Sequence, residues 1–342
     1  MKTSRGSVGI VANPSSGKDI RRLVARGSVF DNNEKIAIVR RALLGLDAIG
    51  VERVLFMPDY FSIVPRALDG LDIRLSASPL SLAMHADQRD SRLAAGLLAE
   101  AEVGCIITLG GDGTNRVVSQ GCGTVPLVPI STGTNNVFPS LVEGTLAGLA
   151  AGLLATGVVG EEVVRPTRRL DVLVDGQVVD LALVDVAFSR ERFIGSRAIW
   201  DPAAVRELVL ATAEPGCIGL SAIGAHLDPI GRDTPEGLYL RLADPPAHGR
   251  PAEAPKITVV APIAPGLVAA VGIREFRRIA VGEEVALEEA AGSLALDGER
   301  ELVLRPPERA SVRLSAAGPR VLDVRSALAA AAARGAFVTS AV

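Results

Sequence analysis

The apolar run at residues 103–109 passes directly into Gly110-Gly111-Asp112-Gly113-Thr114-Asn115, and this junction constrains the fold more than any other stretch of the 342 residues. Such a run reads as a buried strand, and the glycines after it as a tight turn into a helix that Thr114 and Asn115 open. Glycines without Cβ atoms let a phosphate approach backbone N–H groups, and the start of a helix adds its positive dipole end. Asp112 among those donors has two readings: it caps the helix, or it takes part in chemistry on a phosphate-bearing ligand.

The first half of the chain repeats this alternation. Strands are expected at 8–11, 54–57, 73–75, 103–109 and 125–130. Between them fall a helix with Ile36, Val39, Leu43 and Leu46 on one face, closing near Gly50, and a helix that turns Leu93, Leu97 and Leu98 inward. Continuous apolar strands between helices predict a parallel sheet covered on both faces, with ligands collecting at the carboxyl ends of its strands. Residues 141–159 carry a single charge, Glu143, and are long enough to suggest a membrane span. Their glycines and alanines, the lack of an aromatic belt, and Leu146, Leu149 and Leu153 at helical spacing before Gly157 instead predict a buried Ala-rich helix and no membrane span.

From about Arg168 the rhythm shortens to runs at 171–174, 178–186, 256–260, 267–271 and 311–314, punctuated by Asp175-Gly176 and Asp297-Gly298. That pattern predicts antiparallel β structure. Residues 326–334 read as an Ala-rich helix that packs back on the first half, and 245–255 as an exposed Pro/Ala loop. The expected fold class is α/β plus all-β: an N-terminal parallel α/β domain over residues 1–160, completed by 318–342, and an antiparallel β-rich domain over 161–317.

Composition removes some functions. A net charge of −3 and 3% aromatic residues leave neither a basic footprint nor a stacking platform for nucleic acid. Cys105, Cys122 and Cys217 are too scattered for a disulfide framework or a metal site, and read as small buried hydrophobes in a reducing cytosol. His85, His226 and His248 have no partner at metal spacing. The few apolar residues before Asn13-Pro14 are too short for a signal-peptide core, so a cytoplasmic protein is expected.

Three further motifs accompany the junction. Asn13-Pro14-Ser15-Ser16-Gly17-Lys18 follows the first strand with small donors and one ammonium suited to phosphate, although it is not a GxxxxGK[ST] loop. Ser131-Thr132-Gly133-Thr134-Asn135-Asn136 offers hydroxyls and two amides for a ribose or base edge, or forms a capped turn. Asp297-Gly298-Glu299 is a hairpin turn whose two acids would also reach a Mg²⁺ or a substrate hydroxyl. In the turn-rich stretch 228–233, Arg232 would clamp a phosphate or stay solvated; Arg21-Arg22 and Arg40-Arg41 read as wet helix faces.

Taken in order, these motifs resemble the superfamily of NAD kinases and diacylglycerol or sphingosine kinases. The run 30–35, Phe-Asp-Asn-Asn-Glu-Lys, together with 13–17 and 129–136, is most similar to its acetoin-catabolism (AcoX) branch, and the resemblance covers nearly the whole chain. It implies ATP-dependent phosphorylation of the 2′-hydroxyl on the adenosine ribose of NAD, with Asp112 as general base and Mg²⁺ carried by the nucleotide. By the same carry-over Asn13, Ser16, Gly17, Lys18, Gly110, Gly111, Gly113, Thr114, Thr132, Gly133, Thr134, Asn135 and Asn136 would hold nucleotide and phosphates. Asp297 and Glu299 match an element linked to catalysis or metal binding in the lipid-kinase members. NAD and ATP, or polyphosphate as donor, are the expected small-molecule partners, in a homo-oligomer.

The chain departs from both relatives. It lacks the Asn-Glu pair of NAD kinases, since Asn33-Glu34 falls too early, and the acid and trailing Ala-Arg that follow the third glycine-rich strand of lipid kinases. A lipid kinase and a non-catalytic nucleotide-binding regulator are the alternatives. A Rossmann dehydrogenase is excluded, because Arg116 stands where G-x-G-x-x-G needs its third glycine.

Overall fold

The computed structural model describes residues 6–17, 30–133, 135–190, 201–244, 254–288 and 291–338. Strands and helices alternate first: β1 (Ser7–Ala12), α1 (Asn32–Ala48), β2 (Arg53–Phe56), α2 (Ile63–Leu68), β3 (Ser76–Pro79), α3 (Gln88–Glu100), β4 (Cys105–Gly110), α4 (Asp112–Ser119), β5 (Leu127–Ser131) and α5 (Gly144–Ala155). After β6 (Val164–Pro166) come β7 (Arg169–Val174), β8 (Gln177–Ala182), β9 (Asp185–Ser189), β10 (Val205–Leu210), α6 (Ser221–Leu227), β11 (Glu236–Leu242), β12 (Ile257–Ala264) and β13 (Leu267–Ala280). The remainder is β14 (Glu284–Ala286), β15 (Gly292–Leu296), β16 (Glu299–Leu304), β17 (Ala310–Ser315), β18 (Arg320–Leu322) and α7 (Val324–Ala333).

The first sheet has the order β3-β2-β1-β4-β5-β18-β6. Its neighbours run parallel, except that β6 lies antiparallel to β18. Side chains of α1, α5 and α7 bury one face, and Ala94, Ala95 and Leu98 of α3 with Val118 of α4 bury the other. The second half forms two antiparallel sheets, β12-β13-β11-β10-β9-β15-β16 and β14-β17-β7-β8, packed on each other through residues such as Phe188, Leu294 and Val312. Both expected turn pairs are left-handed, with φ of 49° and 77° at Asp175-Gly176 and 52° and 77° at Asp297-Gly298. That is the conformation that Asp-Gly supplies to a two-residue hairpin.

Three expectations shift. The strand placed at 73–75 begins instead at Ser76, because the Asp47 carboxylate at the end of α1 accepts the amides of Arg74 (2.7 Å) and Leu75 (3.0 Å) and takes them out of pairing. Leu93 is 48% exposed rather than inward, since α3 approaches the sheet through its alanines, close enough that a Cβ on Gly9 would come within 2.7 Å of Leu98. Helix α5 starts only at Gly144, where the Glu143 carboxylate caps the amides of Thr145 and Leu146. It buries glycines and alanines while Leu146 stays 45% exposed. Backbone meets backbone there, for a Cβ on Gly148 would lie 2.2 Å from the Ala42 carbonyl of α1. Among the described residues no helix is long and apolar enough to cross a membrane. The Pro/Ala stretch lies, over 245–253, outside the described residues.

Candidate functional site

Strand order reverses between β1 and β4, and in an open parallel sheet that switch point leaves a crevice at the carboxyl ends of the strands. The turn after β1 and the turn after β4 face each other across it, joined by a hydrogen bond from Asn13 Nδ2 to Thr114 Oγ1 (2.9 Å). Asn13 Oδ1 also accepts the Ser15 amide (2.9 Å), and Ser16 Oγ donates to the Asn13 carbonyl (2.9 Å), which folds the loop tightly. Beneath it lies the fully buried Lys35, near the start of α1. Its ammonium donates to the carbonyls of Asn13 (2.8 Å), Pro14 (3.3 Å) and Ser16 (2.7 Å) and to Asn32 Oδ1 (3.0 Å). Those carbonyls are thus drawn inward. Lys18, expected at this loop, lies outside the described residues.

After β4 the close contacts explain the glycines. A Cβ on Gly110 would meet the Thr114 side chain at 2.4 Å, and one on Gly111 the Asn136 amide oxygen at 2.7 Å. Asn115 is buried and fastens the turn, accepting from Thr108 Oγ1 (2.6 Å) and donating to the Gly111 carbonyl (2.9 Å). The capping role read for Asp112 is not what the structure shows: Gly111 occupies the cap position without a side-chain bond. The Asp112 carboxylate crosses instead to the next loop, accepting the amides of Val137 (3.1 Å) and Phe138 (2.7 Å). That loop continues the contacts, with Thr132 Oγ1 3.1 Å from Ser16 Oγ and Asn136 Nδ2 donating to Ser131 Oγ (2.7 Å). Thr134 lies outside the described residues.

The β-rich half closes the crevice at three points. Glu299, which begins β16, brings its carboxylate to Gly113, where an added Cβ would lie 3.6 Å from it. Asp297 is buried, and its carboxylate accepts the amides of Leu183 (3.0 Å), Val184 (2.8 Å) and Asp185 (3.3 Å). Burial raises its pKa, against the opposing pull of Arg116 and those amides. Arg116, nearly buried on α4, reaches over to Asp180 of β8 (3.1 Å), which also accepts from Gln120 (2.8 Å). Arg232 is half-buried and bonded within the chain. It donates to the carbonyls of Phe138 (3.1 Å) and Val137 and pairs with Glu214 (3.2 Å), so it holds through their carbonyls the same two residues whose amides hold Asp112.

The loops after β1, β4 and β5, with Asp297 and Glu299, border one cavity of about 670 Å³. Asn13, Ser16, Gly17, Gly111, Asp112, Gly113, Thr114, Thr132, Gly133, Asn135, Asn136, Asp297 and Glu299 line it. Gly110 does not, packing under Thr114 instead. The sequence reading missed the opposite wall, made by Asp59 and Tyr60 after β2 and by Met84 and residues 86–91 before and within α3. Only the Asp87 cap of α3 gave a local signal there. Among the described residues no three His, Cys, Asp or Glu side chains gather as a metal site. His85 contacts Asp90 (3.1 Å) and His226 the Val260 carbonyl (2.8 Å), while His248 lies outside the described residues. Burial pushes the Cys105 thiol up to about 12 and Cys122 to about 11, so both stay protonated and inert.

Comparison with known proteins agrees with this geometry. Residues 8–158 match the ATP-NAD kinase N-terminal domain, and residues 168–317 match the C-terminal domain of acetoin catabolism protein X. The chain is 39% identical over 333 residues to the acetoin catabolism protein X of Cupriavidus necator, covering 94% of this chain and 91% of that protein. Among solved structures it is similar to yeast NADH kinase complexed with NADH, with a TM-score of 0.50 and 12% identity, over 98% of this chain and 89% of that one. A diacylglycerol kinase from Bacillus anthracis aligns with a TM-score of 0.45 and 14% identity, over 94% of this chain and 98% of that one. At such identities the likeness is one of fold.

Proposed function

The chain belongs to the acetoin catabolism protein X family, and from that premise we propose that it is a phosphotransferase that uses ATP to phosphorylate the adenosine ribose 2′-hydroxyl of NAD. The observation that carries this reading is the convergence of three strand-end loops and Glu299 on one cavity, under the glycine turn that opens α4. Phosphoryl transfer asks little covalent chemistry of a protein; it asks for positioning and for neutralisation of charge. The small loops at 13–17 and 132–136 suit phosphates and ribose, and the N-terminal end of α4 favours negative charge beside Asp112.

The amides of Val137 and Phe138 fix the direction of the Asp112 carboxylate. In this reading Asp112 orients the acceptor hydroxyl and takes its proton. Glu299 is a second candidate for that base, because it comes to the same turn from the other half of the molecule. The donor set suits a Mg²⁺ that arrives on the nucleotide, for such an ion is held by one or two carboxylates and by phosphates. Asp297 is poorly suited to hold it, with its oxygens already bound to three amides. Glu299 is the carboxylate that would, and the ion would neutralise phosphate charge.

The test is NADP formation from the purified chain with NAD, Mg²⁺ and either ATP or polyphosphate, read by an NADP-specific dehydrogenase. Asp112→Asn should keep the fold and lower turnover by about 10² or more, the scale for losing a general base. Unchanged turnover in that variant removes Asp112 from the mechanism. Binding of NAD or ATP without turnover in the wild type points to a regulator or a different hydroxyl acceptor.

A further inference from the structure

We propose that Tyr60 and Met84 form a nucleobase-binding rim on the cavity, an inference that rests on the nucleotide reading above. The chain has only two tyrosines and 3% aromatic residues, yet Tyr60 stands 53% exposed at this cavity, and Met84, which lines the same cavity, is 55% exposed. The loop that carries Tyr60 is built to hold it there. The Asp59 carboxylate accepts the amides of Phe61 (2.8 Å) and Ile63 (3.0 Å), and Ser62 takes a left-handed φ of 55°. Phe61 packs against the core under the first sheet, while Tyr60 lines the cavity.

The Tyr60 hydroxyl is 3.2 Å from Ser15 Oγ, in the turn whose carbonyls Lys35 pulls inward. The ring is thereby anchored to the loop assigned to phosphate while half of the residue stays exposed at the cavity. Every base presents a π-face, so such a platform binds nucleotides without reading their edges. A methionine thioether adds a soft contact suited to an aromatic ring. This supplies recognition in a cavity that lacks the Asn-Glu pair expected of NAD kinases.

The experiment is calorimetric titration of the full chain with ATP, NAD and inorganic tripolyphosphate, for the wild type, Tyr60→Ala, Tyr60→Phe and Met84→Ala. Tyr60→Ala should weaken whichever nucleotide stacks there about tenfold and leave tripolyphosphate unchanged, while Tyr60→Phe stays close to wild type. Met84→Ala should lose a smaller factor, again for nucleotide alone. A loss confined to ATP assigns the rim to the donor, and one confined to NAD assigns it to the acceptor. An equal loss for tripolyphosphate would show that Tyr60 only props the Ser15 turn, and no loss at all would also overturn the rim. A wild type that binds tripolyphosphate as tightly as both nucleotides overturns the rim and leaves phosphoryl transfer standing; one that binds none of the three overturns both.

Discussion

Asp112 and Asp297 both give their carboxylates to backbone amides of a distant loop, Asp112 to those of Val137 and Phe138, Asp297 to those of Leu183, Val184 and Asp185. Asp112 is half-buried at the mouth of a glycine turn, whereas Asp297 is buried in a left-handed hairpin position. Burial raises the Asp297 pKa, a cost that only its amides and the nearby Arg116 offset. The same bond therefore aims a cleft carboxylate in one place and ties strands together in the other. Two residues beyond the tether, Glu299 is the acid delivered to the cleft.

If that division is right, Asp297→Ala should lose about 3 kcal/mol of stability in urea unfolding, because it leaves several enclosed amides without an acceptor. Asp112→Ala should lose about 1 kcal/mol, since water can replace its carboxylate at the cavity. Equal losses would erase the distinction. Glu299→Gln should lower turnover roughly tenfold or more with an unchanged thermal midpoint, and a turnover equal to wild type would leave Asp112 as the sole candidate base. Arg232→Gln should lower turnover several-fold with little change in NAD affinity, because the grip on the 137–138 peptides loosens while the ribose and phosphate loops stay intact. A rise in KM alone would show that the clamp serves binding instead.

The smallest expected effect is a pH dependence. The folded protein binds a proton at Asp297 more readily than the unfolded chain does, whose group titrates near its ordinary value of 3.8. Stability credited to this group therefore rises as pH falls through the raised pKa and is fully gained below the ordinary value. Urea unfolding of the wild type relative to Asp297→Asn, followed as pH falls from neutrality towards the ordinary value of 3.8, should show the wild type gaining. A relative loss would mean that the pairing with Arg116 outweighs burial.

Much of the architecture was legible because it is written locally. Both Asp-Gly turns, the apolar β4 run and the glycines of the junction each carry their own signal, and the loops at strand ends followed from the alternation of strands and helices. Lys35 was not legible as a buried cation, since three of its partners are carbonyls 19 to 22 residues earlier in the chain. Arg116 and Asp180 are 64 residues apart and meet only when the two halves close. Leu93 and Leu146 misled for a packing reason: where helices touch backbone to backbone, alanine and glycine take the inner face and leucine turns out. The wall made by Met84 and residues 86–91 contains no glycine, so it lacked the signature that marked the other loops.

The strand β18 has a consequence in time. It lies between β5 and β6, pairing Val321 with Leu127 and Leu322 with Val164, and Leu322, Ala327 and Ala331 complete the core against α5 and its neighbours. During synthesis every loop of the cavity in the first sheet emerges long before these residues, so β5 must wait with an open edge while the whole β-rich half is made. Contacts so distant in sequence are slow to form, and an unpaired edge is where a nascent chain is most exposed to association with others. The edge of β5 is therefore closed only when residues 320–322 have been made, after the β-rich half.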